Sequence, residues 1–281
     1  MSETATKHLL IVDDDPSMHE LVNALLARTE WRTASASNGE EALKLLETQA
    51  CDLVLTDILM PGMDGLTLLT KLRALHPHTR VVAMTIKNTP DHVMGSLRHE
   101  AAGYVTKPFT RDALLLALRE ALETSLDQGD IKVLSDHPQW VSLQIRCKLA
   151  TAERLTQFIR ELPNELGPDE RENVAIAFRE LLVNAIEHGG HLDPKQIVDM
   201  SYIRTARTIV YYIRDPGDGF SRDKLQHAAG ADFAEKPMRH IDLREEMGLR
   251  PGGFGMLMAK KFADEVIYSA KGNEVLLIKY L

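Results

Sequence analysis

The chain is 281 residues long, which is enough for two domains of ordinary size, each with its own core. Hydrophobic residues make up 44% of the chain and charged residues 26%, as in a soluble globular protein. The formal net charge of -8 argues against a broad nucleic-acid-binding surface, because such surfaces usually carry a basic patch.

The sequence indicates neither a membrane segment nor a disulfide. No run of about 18 apolar residues occurs, and the N-terminal MSETATKHLL contains no long apolar segment, so we expect a cytoplasmic protein that does not enter a membrane. The two cysteines, Cys51 and Cys147, lie far apart in apolar runs. They are interpreted as small buried side chains rather than as a disulfide or a metal-binding pair.

Residues 1–124 alternate between short apolar stretches and amphipathic segments. The predicted strands are 8–12, 31–36, 52–56, 80–84 and 103–105. The predicted helices are 16–29, one that opens at Asn38, 65–75, 90–100 and 111–124. Five strands that alternate with five helices predict an α/β domain with a parallel, doubly wound sheet covered on both faces. In such sheets, ligands bind beyond the carboxyl ends of the strands.

The polar segment SLDQGD, at 125–130, ends this alternation, and we place a linker at 125–136 and a second domain at 137–281. VSLQIRCK (141–148) alternates apolar and polar residues, which is typical of a strand with one solvated face. The later predicted elements are helices 151–162, 168–188 and 253–263 and strands 196–203, 207–214, 264–269 and 274–280. Helices grouped with antiparallel strands predict an α/β sandwich of the layered α+β type.

Chemically active side chains directly follow four strands of the first domain. They are Asp13 and Asp14, Asp57, Thr85, and Lys107. Carboxylates that share a sheet edge repel each other unless a divalent cation lies among them, and Mg2+ prefers a few carboxylates with water and phosphate oxygens. A lysine and a hydroxyl nearby would hold the oxygens of a transferred phosphoryl group.

These residues agree in order, spacing and position with one family. Residues 7 to about 124 resemble a two-component receiver domain, which has a flavodoxin-like fold. The resemblance implies that Asp57 is the phosphoacceptor and forms an aspartyl phosphate from a donor phosphohistidine. It also implies that Lys107 pairs with the phosphoryl group, that the Thr85 hydroxyl moves toward it, and that Tyr104 is the aromatic switch residue.

The same resemblance implies an Mg2+ site. Asp14 and Asp57 are the expected ligands, Asp13 acts largely through water, and the Leu59 carbonyl is a further ligand. Asp15 has no role in this mapping. The phosphodonor would be a sensor histidine kinase or a phosphotransfer protein.

A second set of motifs lies in the second domain. The stretch RELLVNAIEHGG (179–190) places Glu180 and Asn184 one helical turn apart, beside an apolar stripe. Asparagine is a poor interior helix former, which favours a functional role for Asn184. DPGDGF (215–220) follows a strand, and PGGFG (251–255) opens a helix. Glycines at these places let the backbone approach a flat ligand and present N–H groups to phosphate.

Taken in order, these motifs resemble the Bergerat-fold ATPases, also called GHKL ATPases, and within them the anti-sigma-factor serine kinases. The resemblance implies that Asn184 coordinates the Mg2+ of bound ATP, that Asp215 accepts a hydrogen bond from the adenine amino group, and that Glu180 is the general base. The glycines that would shape the adenine pocket are Gly217 and Gly219, and those that would cradle phosphates are Gly252, Gly253 and Gly255.

Two other ATP-binding classes are disfavoured. The chain has no Gly-x-x-x-x-Gly-Lys-Ser/Thr, so it is not a P-loop protein. Between 125 and 167 there is no room for the dimerising helical hairpin of an ordinary histidine kinase.

The expected output is therefore a serine protein kinase of the partner-switching type, acting on a STAS-type anti-anti-sigma protein or on a sigma factor. Two alternatives stay open: a non-catalytic, ATP-dependent sequestering module, and an atypical histidine kinase that acts on a separate histidine-bearing protein. A homodimer is compatible with both halves. No nucleic-acid partner is expected, because no helix-turn-helix candidate or basic patch follows the receiver.

Overall fold

A computed structural model describes residues 6–86, 89–123, 129–137, 139–162, 165–219 and 255–281. The chain divides into two compact units, Met1–Gly129 and Asp130–Leu281. Each unit is built on its own sheet. Within the described ranges, no helix is both long enough and apolar enough to cross a membrane.

The first unit is a five-stranded parallel sheet in the order β2-β1-β3-β4-β5. Its strands are β1 (Lys7–Val12), β2 (Trp31–Ala36), β3 (Leu53–Asp57), β4 (Arg80–Thr85) and β5 (Gly103–Thr106). Its helices are α1 (Pro16–Leu25), α2 (Gly39–Thr48), α3 (Gly65–Leu75), α4 (Pro90–Arg98) and α5 (Arg111–Glu123). The central strands are apolar and buried, because helices cover both faces. This is the predicted doubly wound fold.

Short side chains fix where the helices of this unit begin. Asp15 caps α1 by accepting from the Ser17 N–H at 2.9 Å, and Asp64 caps α3 by accepting from the Thr67 N–H at 2.7 Å. Such caps satisfy N–H groups that have no partner inside the helix. The two capped helices follow β1 and β3, so the caps also fix the loops at the carboxyl ends of those strands.

The second unit is a six-stranded antiparallel sheet in the order β10-β11-β9-β8-β7-β6. Its strands are β6 (Ile131–His137), β7 (Trp140–Arg146), β8 (Ile197–Arg204), β9 (Thr208–Arg214), β10 (Glu265–Tyr268) and β11 (Glu274–Tyr280). Its helices are α6 (Leu149–Glu161), α7 (Pro168–Asn184), which continues as a π-helix over Ala185–Gly189, and α8 (Gly255–Phe262). Helices and antiparallel strands form the predicted α+β sandwich.

The start of the second unit differs from the sequence prediction. Residues 131–136 of the linker predicted at 125–136 belong to strand β6, which pairs antiparallel with β7 through Ile131 opposite Ile145 and Val133 opposite Leu143. The register shifts after Val133, where Leu134 is exposed, and the strand ends in three polar residues, Ser135, Asp136 and His137. An edge strand with so few inward-facing apolar residues has no clear period-2 pattern, which is why this segment was interpreted as a linker.

Candidate functional site

An acidic site lies at the carboxyl ends of β1, β3 and β5. Lys107 Nζ lies 2.6 Å from Asp13 Oδ2 and 2.7 Å from Asp57 Oδ2, and all three side chains are buried. Burial lowers the pKa of Lys107, but hydrogen bonds with Asp13 and Asp57 outweigh it, so the pKa lies above the usual value for lysine. The ammonium group therefore stays charged and holds the two carboxylates together.

The carboxylates fit the predicted Mg2+ site. Asp13, Asp14 and Asp57 each offer an oxygen, and these oxygens lie within 4.8 Å of one another. Three carboxylates and one ammonium leave two negative charges, which is what a divalent cation neutralises. Oxygen-only donors are those that Mg2+ prefers. The Leu59 N–H donates to Asp57 Oδ1 at 3.1 Å, so the Leu59 backbone lies beside the Asp57 carboxylate.

Thr85 and Tyr104 lie on the neighbouring strands. Thr85 ends β4 and is fully buried, and its carbonyl accepts from the Lys107 N–H at 2.8 Å. Tyr104 lies in β5, opposite Ala83 of β4, and is also buried. The Lys107–Pro108 peptide bond is cis. A backbone hydrogen bond thus links Thr85 to Lys107, and the Tyr104 side chain lies inside the domain.

Two residues without a role in the sequence prediction support this site. The Asp15 N–H donates to Asp13 Oδ1 at 2.9 Å, while its carboxylate caps α1. A Cβ on Gly65 would lie 2.1 Å from the Asp57 carbonyl oxygen, so α3 can begin this close to Asp57 only with glycine. The Asp-Pro-Ser sequence is a recognisable N-cap signal for Asp15. Nothing local in the sequence announces the packing of Gly65.

In the second unit, Asp215 directly follows β9, an interior strand of the sheet. Its N–H donates to the Asn273 carbonyl at 3.0 Å, and its Oδ1 accepts from the Gly217 N–H at 2.8 Å. Burial raises the pKa of Asp215 above its usual value, against the opposing effects of the Gly217 N–H and the Lys271 charge. Among the described residues, the donors to this carboxylate are backbone N–H groups, those of Gly217 and of Asp215 itself. The carboxylate therefore keeps acceptor capacity for an amino group of a ligand.

Glycines pack the backbone directly against Asp215. A Cβ on Gly189 would lie 2.3 Å from Asp215 Oδ1, and one on Gly190 would lie 2.1 Å from Cys147 Sγ. A Cβ on Gly217 would lie 3.0 Å from the Gly189 Cα. Gly189 and Gly190 therefore form part of the floor of this site. From the sequence they were interpreted only as the end of a helix.

Some of the glycines predicted to bind ATP lie within the described residues. Gly219 has a positive φ of 79°, and a Cβ there would lie 2.0 Å from the Lys271 carbonyl oxygen, so the β10–β11 turn holds this loop closely. Gly255 begins α8, as predicted for a glycine at a helix start. Gly252 and Gly253 lie outside the described residues.

Glu180 and Asn184 lie on α7, which ends at Asn184. Both side chains are partly exposed, whereas the apolar stripe beside them is buried: Leu181, Leu182, Ala185 and Ile186. After Asn184 the helix widens into the π-helix, in which the Gly190 N–H donates to the Ala185 carbonyl at 2.9 Å. Glu180 is not an isolated carboxylate, because Arg179 Nη1 lies 3.0 Å from its Oε1.

The two predicted buried cysteines differ in burial. Cys147 is fully buried under Gly190, and burial raises its pKa to about 11. Cys51 is only half-buried. Both are free thiols, as expected.

Comparisons with known proteins match each unit separately. Residues 9–119 match the model for the response regulator receiver domain, and residues 145–279 match the model for the histidine kinase-like ATPase domain. Together the two matches cover both sites described above.

Curated relatives match part of the chain. The probable transcriptional regulatory protein TcrX of Mycobacterium tuberculosis is 33% identical over 132 residues, covering 46% of this chain and 56% of TcrX. The nitrate/nitrite response regulator protein NarL of Escherichia coli is 32% identical over 174 residues, covering 61% of this chain and 75% of NarL. Among solved structures, a signal receiver domain from Pseudomonas fluorescens is 30% identical, covers 42% of this chain and 94% of that domain, and has a TM-score of 0.40. The chain thus spans about half of the length of TcrX.

Proposed function

Because this chain belongs to the response regulators and carries a histidine-kinase-like ATPase domain after its receiver domain, we propose that phosphorylation of Asp57 controls an ATP-dependent serine protein kinase. The observation that carries the proposal is that each unit holds its own site. Lys107 joins Asp13 and Asp57 in the first, and Gly189 and Gly217 surround Asp215 in the second. We place the protein in the cytoplasm.

In the receiver, an Asp57 carboxylate oxygen attacks the phosphorus of a phosphohistidine on a sensor histidine kinase or a phosphotransfer protein. The P–O bond forms as the P–N bond breaks, and the imidazole keeps the electron pair and takes up a proton. Lys107 is already 2.7 Å from Asp57 and would pair with the incoming phosphoryl oxygens. Thr85 and Tyr104 would then move toward the phosphoryl group as the switch.

Mg2+ is the cofactor proposed for this reaction. Bound Mg2+ would supply positive charge that neutralises the phosphoryl oxygens. Asp13, Asp14 and Asp57 would hold it, together with the Leu59 carbonyl, and Asp13 would act largely through water.

In the ATPase domain, Asp215 Oδ2 would accept from the adenine amino group, and Asn184 would hold the Mg2+ of ATP. Gly217 and Gly219 allow their loop to pack against Gly189 and the β10–β11 turn. This packing would leave one face of Asp215 open to the adenine ring. Gly255 at the start of α8, together with Gly252 and Gly253, is proposed to contact phosphates. Glu180 would take the proton from an attacking serine hydroxyl.

The proposed output partner is a STAS-type anti-anti-sigma protein phosphorylated on serine, or a sigma factor held directly. A protein partner is favoured over nucleic acid because the chain carries a net charge of -8. TcrX and NarL are named as regulators of transcription or of the nitrate/nitrite response, and partner switching would reach transcription through a protein. A homodimer is proposed as the working state.

One observation favours a second candidate, a sequestering module that binds ATP and a partner without turnover. Glu180 is ion-paired with Arg179 at 3.0 Å, so the proposed base already has a partner within its own helix. A carboxylate oxygen that already accepts from a guanidinium must give up that hydrogen bond before it can accept a substrate proton.

The test uses the purified full chain, γ-labelled ATP and a candidate STAS protein, with and without a beryllium fluoride phosphoryl analogue on the receiver. We expect acid-stable label on a serine of the partner, no label with Glu180→Ala, and a response to the analogue that Asp57→Asn abolishes.

The other outcomes assign the alternatives. ATP-dependent complex formation without label transfer would establish the sequestering module. Acid-labile label would indicate a histidine kinase. Partner binding and turnover that ignore both the analogue and Asp57→Asn would contradict the coupling of the two domains.

A further inference from the structure

Three charged side chains connect α6 to the proposed base on α7. Arg179 Nε lies 2.8 Å from Glu153 Oε2, and Arg179 Nη2 contacts Glu153 Oε1, so the guanidinium is held by both carboxylate oxygens. The remaining nitrogen, Nη1, donates to Glu180 Oε1 at 3.0 Å. Glu153 lies on α6, and the other two residues lie on α7. We call this set the Glu-Arg-Glu chain.

The contact between Arg179 and Glu180 is not a product of helix geometry. Neighbouring residues on a helix point in different directions and do not ordinarily meet. Here the two-pronged bond to Glu153 fixes the plane of the guanidinium, and this leaves Nη1 directed at Glu180. The hydrogen bond with Glu153 is also the main reason why the pKa of Arg179 lies above its usual value. Arg179 therefore remains a cation while it contacts Glu180.

We propose that Arg179 is a positioning residue that restrains Glu180 as a base, and that Glu153 sets the strength of this restraint by competing for Arg179. The inference rests on the proposed function, because it presupposes that the domain binds ATP. It extends that function by identifying Arg179 as a residue that limits the rate of ATP turnover. Glu153 draws the guanidinium toward α6, and Glu180 draws it toward the site.

The step that the restraint slows is the attack on ATP. A water or serine hydroxyl gives its proton to Glu180, and its oxygen forms a bond to the γ-phosphorus. The bond from that phosphorus to the β,γ-bridging oxygen breaks, and ADP keeps the electron pair. Glu180 Oε1 already accepts from the Arg179 guanidinium and must give up that hydrogen bond to take the proton, so the barrier to this proton transfer is higher.

Two substitutions in the same ion pair give opposite predictions. Arg179→Gln removes the cation from Glu180, and we expect phosphate release from Mg-ATP to rise by about threefold to tenfold. Glu153→Gln removes the competitor and leaves Arg179 to Glu180 alone, so we expect phosphate release to fall by about twofold to threefold. Both variants lose the same contact between α6 and α7, so both should lower the melting temperature by similar amounts.

A matched control lies farther along the same two helices. Arg160 on α6 pairs with Glu172 on α7 at 2.7 Å, and this pair is separate from the Glu-Arg-Glu chain. Arg160→Gln should also lose an ion pair between the helices, but it should leave phosphate release unchanged. ATP affinity, measured by titration of each variant, should stay within about twofold of wild type, because Asp215 and Asn184 are untouched.

The outcomes separate this inference from the function on which it rests. A wild type that does not bind Mg-ATP would refute both. If all the proteins bind ATP but both Arg179→Gln and Glu153→Gln lower phosphate release, the restraint is refuted. The proposed ATP site is then still supported. The restraint would also be refuted if Arg160→Gln changed turnover as much as Arg179→Gln, or if no variant released phosphate.

Discussion

In the receiver unit, the central groups are held by charge: Lys107 lies 2.6 and 2.7 Å from the carboxylates of Asp13 and Asp57. In the ATPase unit, Asp215 has no such close cation among the described residues, and backbone atoms surround it. A Cβ added to Gly189 would lie only 2.3 Å from Asp215 Oδ1, which is too close to be accommodated. The receiver site is thus a buried set of charges that compensate each other. The site at Asp215 is a space that exists because glycines, which have no side chain, surround it.

The difference has a consequence for how each site fails. Removing a partner from the buried ion pair leaves a carboxylate without compensation inside the protein, so stability should suffer first. Adding an atom to the glycine floor displaces Asp215 without leaving any charge unpaired, so ligand binding should suffer first. Substitutions can test this contrast directly.

The largest effect is expected from Lys107→Met in the receiver. This change leaves the buried carboxylates of Asp13 and Asp57 facing each other, and we expect it to lower the free energy of unfolding by about 3–5 kcal/mol in the absence of Mg2+. Urea denaturation of the full chain, followed on a receiver probe, measures the loss.

Added Mg2+ should recover more stability in this variant than in wild type, because the cation takes over the charge that Lys107 supplied. Lys44→Met, at an exposed position of α2, is the matched control and should change the free energy of unfolding little. A loss below about 1 kcal/mol with Lys107→Met would mean that the carboxylates are not mutually repelled, and the contrast between the sites would disappear.

The next effect is expected from Gly189→Ala in the ATPase unit. The added Cβ must displace the Asp215 carboxylate, so we expect ATP affinity to fall by about 100-fold, or about 2.7 kcal/mol. Calorimetric titration with Mg-ATP measures the change. Gly167→Ala, at the other end of α7, has its nearest contact at 3.9 Å and should bind ATP normally. Unchanged affinity in Gly189→Ala would show that Asp215 does not hold the ligand in this position.

The smallest effect is expected from Asp215→Asn, which changes charge and hardly changes shape. We expect ATP affinity to fall by about tenfold, because an amide is a weaker acceptor than a carboxylate. In wild type, affinity should fall as the pH is lowered through the pKa of Asp215, which burial places above 3.8. The Asn variant should lack this pH dependence.

The stability of Asp215→Asn should move in the opposite direction. Since burial raises the pKa of Asp215 in the folded protein, the ionised form opposes folding at pH above that pKa, and the stabilising contribution of the group is fully present only below the unfolded value near 3.8. The variant should therefore melt at pH 7 no lower than wild type, and this advantage should vanish below pH 3.8. A clear decrease in melting temperature at pH 7 would contradict a ligand-binding role maintained at the expense of stability.

The receiver could be predicted almost completely from the sequence. Its strands are short apolar runs. Asp57 ends β3, and Asp13 and Lys107 directly follow β1 and β5, so a parallel sheet alone brings these residues to one edge. What the sequence could not supply were details of packing. Gly65 has no local signal, because its importance depends on how closely α3 passes the Asp57 carbonyl.

The ATPase unit was less predictable, for two physical reasons. Strand β6 carries little of its own hydrophobic pattern and is defined by its partner β7. The role of Gly189 depends on the approach of β9 from far along the chain, which a helical period cannot reveal. The contact between Arg179 and Glu180 is likewise set by Glu153 on another helix.

The π-helix at Ala185–Gly189 has a consequence for how this chain tolerates changes in length. Its i to i+5 hydrogen bond from Gly190 to Ala185 accommodates one residue more than an α-helical turn would. Deleting a single residue between Ala185 and Gly189 would restore α-helical bonding, but it would rotate the next part of the chain by about 100° about the helix axis. Gly189 would then no longer face Asp215. Ends of helices usually tolerate insertions and deletions. Here, however, the number of residues in the π-helix determines the direction in which Gly189 faces. Any change in its length should therefore damage the site as much as Gly189→Ala does.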